Sequence, residues 1–156
     1  MHGTALRNRH DEGRLAAATQ NPNRRDFHDP LDPKLECHLG RLLARGKITE
    51  AEYLAGVRWR EVYGEYLSAI GAPFPFCQSP AGYGLISPET PFMPDEICEN
   101  LTATYKAGIK ILEANGRRVR DAVNAICVYD EPEELGDFEY TLKAARIGLA
   151  DLSKNF

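Results

Sequence analysis

The sequence predicts an all-α domain, and three observations predict it. The stretch ITEAEYLAGVRWREVYGEYLSAIG, Ile48 to Gly71, opens on a capping box and closes on a glycine. Elsewhere apolar residues recur three and four apart, the spacing of one helix face. No segment sustains the apolar–polar alternation of a strand.

Composition sets the frame for these elements. The 156 residues suffice for one domain with a real core, and 43% hydrophobic with 27% charged residues is the balance of an ordinary soluble protein. No run approaches the roughly 18 apolar residues of a membrane span, and MHGTALRNRHDEG lacks a signal peptide's apolar region. The expectation is a cytoplasmic protein with no membrane partner, whose Cys37, Cys77, Cys98 and Cys127 stay reduced. A net charge of −4 excludes a surface coated in phosphate-binding lysines but leaves room for a local basic patch.

Residues 1–30 read as a flexible tail. Arg7, Arg9, Arg14, Arg24 and Arg25 sit there among small and polar residues, with too few apolar anchors to offset the entropy of ordering. The sharper alternative is an arginine arm that orders on nucleic acid or a partner. Residues 31–156 read as the helical domain. Asp32-Pro33 starts a helix that carries Leu35, His38, Leu39, Leu42 and Leu43 inward and ends at Gly46. Thr49 and Glu52 form the capping box of the next helix, and Ile48 can staple onto Tyr53. A link as short as Gly46–Lys47–Ile48 makes the two helices an αα-hairpin. Tyr53, Gly56, Val57, Trp59, Tyr63, Tyr66, Leu67 and Ile70 cover most of the second helix, so neighbours must enclose it.

Residues 72–94 form a long proline-rich loop. Pro88, Pro91 and Pro94 keep the three-residue period of polyproline II, but no basic flank marks an SH3-type ligand, so an ordered loop on the core is favoured. A helix follows from Asp95 to about Ala114, with Ile97, Leu101, Tyr105, Ile109 and Leu112 as its stripe. Asn115-Gly116 is a stop signal before a helix from Arg117 to Tyr129, unless one helix runs through the glycine. The acidic stretch Asp130 to Asp137 is a connector. The last helix starts at Asp137, and Phe138, Leu142, Ala145, Leu149, Leu152 and Phe156 step along it as one seam. The total is four or five helices.

Catalytic templates are missing: no phosphate-binding GxxxxGK[ST], no HExxH and no GxSxG. Cys37-His38 with Cys77 and Cys98 lack the closely spaced pairs of a structural zinc site. His38 shares a stripe with Leu35 and Leu42, which favours a half-buried, hydrogen-bonded histidine over a ligand or base. The run from Asp130 to Glu139 lacks the calcium-loop spacing. No metal or cofactor is therefore expected. The informative charges are Arg117, Arg118 and Arg120, which crowd the positive end of a helix. Either internal carboxylates screen them or an external anion does. A second group, Arg41, Arg45, Lys47, Arg58 and Arg60, surrounds the hairpin turn but cannot share one patch, and ordinary surface charge is the simpler account.

Two segments resemble known sequences. GKITEAEYLAGVRWREVYGEYL resembles a pattern in uncharacterised, partly phage-associated alphaproteobacterial proteins, and RIGLADLSKNF, Arg146 to Phe156, resembles their closing helix. There that helix belongs to a helix-turn-helix-like unit similar to the DNA-binding region of sigma factors. In this chain an acidic, proline-containing segment stands where the first helix of that unit would be, and Asp137 and Glu139 would repel phosphate. The resemblance implies descent near transcription regulators more than retained base reading. With the catalytic templates missing, the expectation is a non-enzymatic regulatory protein of transcription, in contact with DNA or with a component of RNA polymerase. Anion contact would then fall to Arg117, Arg118, Arg120, Lys143 and Arg146. The alternative is a protein–protein adaptor or structural component, including a homodimer through an exposed part of the final helix.

Overall fold

The structure, a computed structural model, describes residues 3–73, 93–131 and 137–156. Among these residues there are six α-helices and no strand: α1 (Gly3–Gln20), α2 (His38–Ala44), α3 (Glu50–Ala69), α4 (Asp95–Ala114), α5 (Arg117–Cys127) and α6 (Phe138–Asn155). The core of the proline-rich loop, 74–92, and the middle of the acidic connector, 132–136, lie outside the described residues.

The α2–α3 hairpin forms by the local chemistry that its sequence announces. Thr49 Oγ1 accepts from the Glu52 amide at 3.2 Å, and Glu52 Oε2 accepts from the Thr49 amide at 2.6 Å. Each orphan amide is thus satisfied by the other residue's side chain. Gly46 and Gly71 end their helices with φ near 66° and 65°. Beyond them the Lys47 and Ala72 amides donate back to the Leu42 and Leu67 carbonyls, which closes both ends in Schellman fashion. Gly116, at φ 100°, separates α4 from α5, so these are two helices and not one.

Trp59 is the centre of the core and is fully enclosed. Its ring stacks on Tyr105 of α4 at 5.7 Å and meets Phe156 of α6 edge-on at 6.1 Å. The indole Nε1 donates to Asn124 Oδ1 of α5 at 2.9 Å, so a buried donor keeps its bond. A Cβ on Gly108 would come within 2.3 Å of the indole ring, so α4 can approach only as glycine. Leu39, Val62, Leu112, Val123, Ile126, Leu149 and Leu152 complete the same cluster. The inward face of α3 differs in part from the sequence reading. Glu52, Ala55 and Val62 are buried, whereas Ile70 is 52% exposed.

Two further expectations change. The helix read from Pro33 is a short 3-10 turn, Pro33–Glu36, followed by an extended Cys37 and then the seven residues of α2. Asp32 does cap it, by accepting from the Lys34 amide, but the chain then folds back on itself. A Cβ on Gly40 would lie 1.7 Å from the Lys34 carbonyl oxygen, so this crossing needs glycine. Asp130, from a distant part of the chain, accepts from the His38 amide at 2.5 Å and serves as the missing cap of α2. The second change is α1, which lies in the segment read as a tail; residues 31–156 hold the five α-helices α2 to α6. α1 contains Ala16, Ala17 and Ala18, a good local helix former. From Glu12 to Gln20 every residue but the half-buried Ala18 is exposed, in keeping with the lack of an apolar stripe.

Replacing Gly40 by alanine should lower stability by about 2–3 kcal/mol, because the collision is with backbone and cannot be relieved by a rotamer change. Gly13→Ala in α1 meets nothing within 4 Å and is the matched control. Urea midpoints for the two variants check this, and equal midpoints would show that the crossing is not held.

Candidate functional site: the outer face of the last helix

The five anion-contact candidates do not converge. Arg120 is taken by carboxylates: Nη1 donates to Glu113 Oε1 at 2.5 Å, while Nε and Nη2 donate to Asp121 Oδ1 at 2.9 and 2.7 Å. Its pKa is pushed up, chiefly by the bond to Asp121. Arg117 is 84% exposed at its side chain and reaches Asp121 only at 3.9 Å. Arg118 lies over the Tyr140 ring at 5.1 Å and donates to its hydroxyl at 2.6 Å. Arg146 donates to Glu52 Oε1 at 3.1 Å, and the other oxygen of that buried carboxylate closes the α3 capping box. Arg146 therefore ties α6 to the start of α3. Among the described residues Lys143 has no carboxylate partner.

Of the acidic connector, Asp130 acts away from the arginine triplet. Asp130 takes φ 52°, a region that aspartate tolerates better than most residues, and pairs with Arg60 at 3.9 Å while capping α2. Arg60 Nε also donates to the Cys127 carbonyl at the end of α5, where a cation complements the helix dipole. Glu139 pairs with Lys47 at 3.2 Å, so α6 is also tied to the hairpin turn. Among the described residues, the carboxylates paired with Arg117 and Arg120 are Glu113 and Asp121.

What the side chains do bring together is the outer face of α6. The inner seam holds Leu142, Ala145, Leu149 and Leu152, all buried. On the opposite side Tyr140, Ile147 and Lys154 recur every seven residues, with Asp151 among them and Ala144, half-buried against the core, at the edge. Tyr140 is 53% exposed and Ile147 46%, two large apolar side chains two turns apart in water. This ridge stands between two open clefts. One, of about 620 Å³, runs along α5 past Arg118 and Ala144. The other, of about 940 Å³, runs along the hairpin turn and is rimmed by Lys47, Lys143 and Arg146. Tyr140 and Ile147 were missed because the inner seam accounted for the helix, yet their seven-residue spacing was a readable signal.

A third cleft, of about 530 Å³, lies between α4 and α5, where Tyr63, Tyr105 and Tyr129 meet Arg120 and Asn124. Burial, then the bond to Tyr129, pushes the Tyr63 hydroxyl well above the usual tyrosine range, and burial raises Tyr105 too. These hydroxyls stay protonated at neutral pH and serve as neutral hydrogen-bonding groups. His38 is fully buried, stacks on Phe138 at 5.2 Å and bonds the Glu131 carbonyl through Nδ1, a structural role. Among the described residues no group of three or more His, Cys, Asp or Glu could hold a metal, and no helix is long and apolar enough to cross a membrane. No protein-family model matches the chain, and no curated protein or solved structure is significantly similar to it.

Cys127 offers a test of the core under this site. Burial pushes its thiol up to about 12, whereas Cys37 and Cys98 are partly exposed. In native protein at mildly alkaline pH, alkylation of Cys127 should lag theirs by at least about a hundredfold and catch up only in denaturant. Mass spectrometry of quenched samples reads this directly; equal native rates would mean that the α3–α5 contact opens.

Proposed function

We propose that this chain is a non-catalytic, cytoplasmic interaction module that docks protein through the outer face of α6. The observation that carries the reading is Tyr140 with Ile147, a solvent-facing apolar pair on a ridge rimmed by cations. An apolar, aromatic centre with a charged rim is the composition of a protein interface. The arginines support the same reading, since Arg120 and Arg146 are already paired inside the molecule.

Ile147→Asp should leave stability within about 0.5 kcal/mol, because the side chain is at the surface. The variant should nevertheless lose the proteins that the tagged chain retains from extracts of its own cells. Identical sets retained by both forms would reject the reading.

A second reading, contact with DNA or with a component of the transcription machinery such as RNA polymerase, is favoured by Arg117 and Lys143. Arg117 is largely exposed and weakly paired, and Lys143 is exposed on the rim of the cleft beside the ridge. The docking reading expects no shift of a DNA duplex at physiological salt. A shift whose logarithmic salt slope is about −2, as for two phosphate contacts, would replace it with the DNA reading. Loss of that shift in Arg117→Glu with Lys143→Glu would assign the contact to these residues.

A further inference from the structure

We propose that the occupant of the α6 ridge is a second copy of this chain, packed antiparallel about a two-fold axis through Ile147. The inference rests on the docking reading above and names its partner. It comes from the order of residues along the ridge. In a two-fold antiparallel pair, position 147 plus n on one helix lies level with 147 minus n on the other. Ile147 then meets Ile147 of the other copy on the axis. Four residues out, Lys143 of one copy lies level with Asp151 of the other, and symmetry makes that opposite-charge pair twice. Three residues out, Ala144 lies level with Ala150, small side chains that let the helices approach. Seven residues out, Lys154 lies level with the Tyr140 ring, a cation facing an aromatic face, again twice. Every ridge residue thus meets a complement.

The state of these groups in the single chain fits that arrangement. Lys143 is exposed and has no carboxylate partner among the described residues. Asp151 receives Asn115 Nδ2 on Oδ2 at 2.6 Å, and among the described residues its Oδ1 faces Lys154 at 3.7 Å, a loose pair in which the Lys154 side chain is 71% exposed. Oδ1 can therefore accept from the other copy's lysine without breaking the Asn115 bond. Arg118 holds Tyr140 in place from below, by its hydrogen bond and by stacking, so an aromatic side chain is presented with little freedom left to lose. The parallel arrangement would instead set Lys143 against Lys143 and Asp151 against Asp151, so charge selects the antiparallel one.

Sedimentation equilibrium on purified full-length protein, from micromolar to millimolar concentration and without nucleic acid, tests the proposal. The mass should rise from 17.4 kDa toward twice that value. Lys143→Asp and Asp151→Lys should each weaken association by about tenfold, and the two together in one chain should restore it. Helical circular dichroism on each variant separates loss of association from loss of folding. Register is read independently by Ile147→Cys, which should cross-link to itself under air oxidation, whereas Lys154→Cys should not. A monomer at every concentration, a double variant no better than the singles, or cross-linking at 154 and not at 147 would overturn the proposal. If the purified protein stays monomeric while Ile147→Asp still loses its cellular partners, the second copy is excluded and the docking reading stands. If those partners are unaffected, the reading itself falls.

Discussion

The indole of Trp59 is the contact on which the other helices are arranged. A fully buried tryptophan must place its N–H on an acceptor, because an unpaired donor in the core costs about 1–3 kcal/mol. Asn124 supplies the acceptor and thereby fixes the rotation of α5 against α3. The flat faces of the ring demand neighbours without bulk, so Gly108 sets the approach of α4 and Tyr105 stacks alongside it. A similar economy of side chain occurs twice more. Gly56 lies against Leu39 and Cys127, and Gly148 lies against Val119, Val123 and Leu112. Close helix crossings at three glycines let short helices enclose one large aromatic residue, at the cost of about 1 kcal/mol of helix propensity at each.

Much of this architecture was legible because it is local. The capping box at Thr49, the glycines after α2 and α3, and the stop at Gly116 are each decided within a few residues, and each lies where the sequence places it. What was not legible depends on distant partners. The start of α2 is set by Asp130, ninety-two positions further along the chain, and by a backbone crossing at Gly40 that no periodicity announces. Glu52 reads as a surface residue of a capping box, but Arg146 of α6 covers its other oxygen and makes a buried carboxylate satisfiable. The helix in α1 was not anticipated because burial was the criterion, and its described side chains, Glu12 to Gln20, are not buried, so local backbone propensity supports it there.

The candidate site follows the same division. Three arginines at the start of a helix are an electrostatic conflict visible in the sequence, and the two ways to resolve it were visible as well. Arg120 is paired with Asp121 beside it and with Glu113, which, seven residues earlier, meets it only once the α4–α5 turn is built. Lys143 and Arg146, three residues apart on α6, looked equivalent in sequence. In the fold Arg146 leans toward the hairpin and finds Glu52, while Lys143 points outward. A rotation of about 300° around the helix axis, the equivalent of 60° the other way, separates a structural cation from an available one.

That geometry bears on how a helix can carry two opposed stripes. With 3.6 residues per turn, a seam that steps four and three covers little more than a quarter of the circumference, so a second seam fits on the far side. On α6 the inner seam is wholly apolar, because its contacts are dry and permanent. The outer one interleaves Tyr140 and Ile147 with Asp151 and Lys154, and this mixture keeps the face soluble when it is uncovered. A stripe too apolar would drive indiscriminate association, and one too charged would bury nothing. On the proposed docking of this face, apolar centres would supply contact area while flanking charges of both signs would dictate orientation.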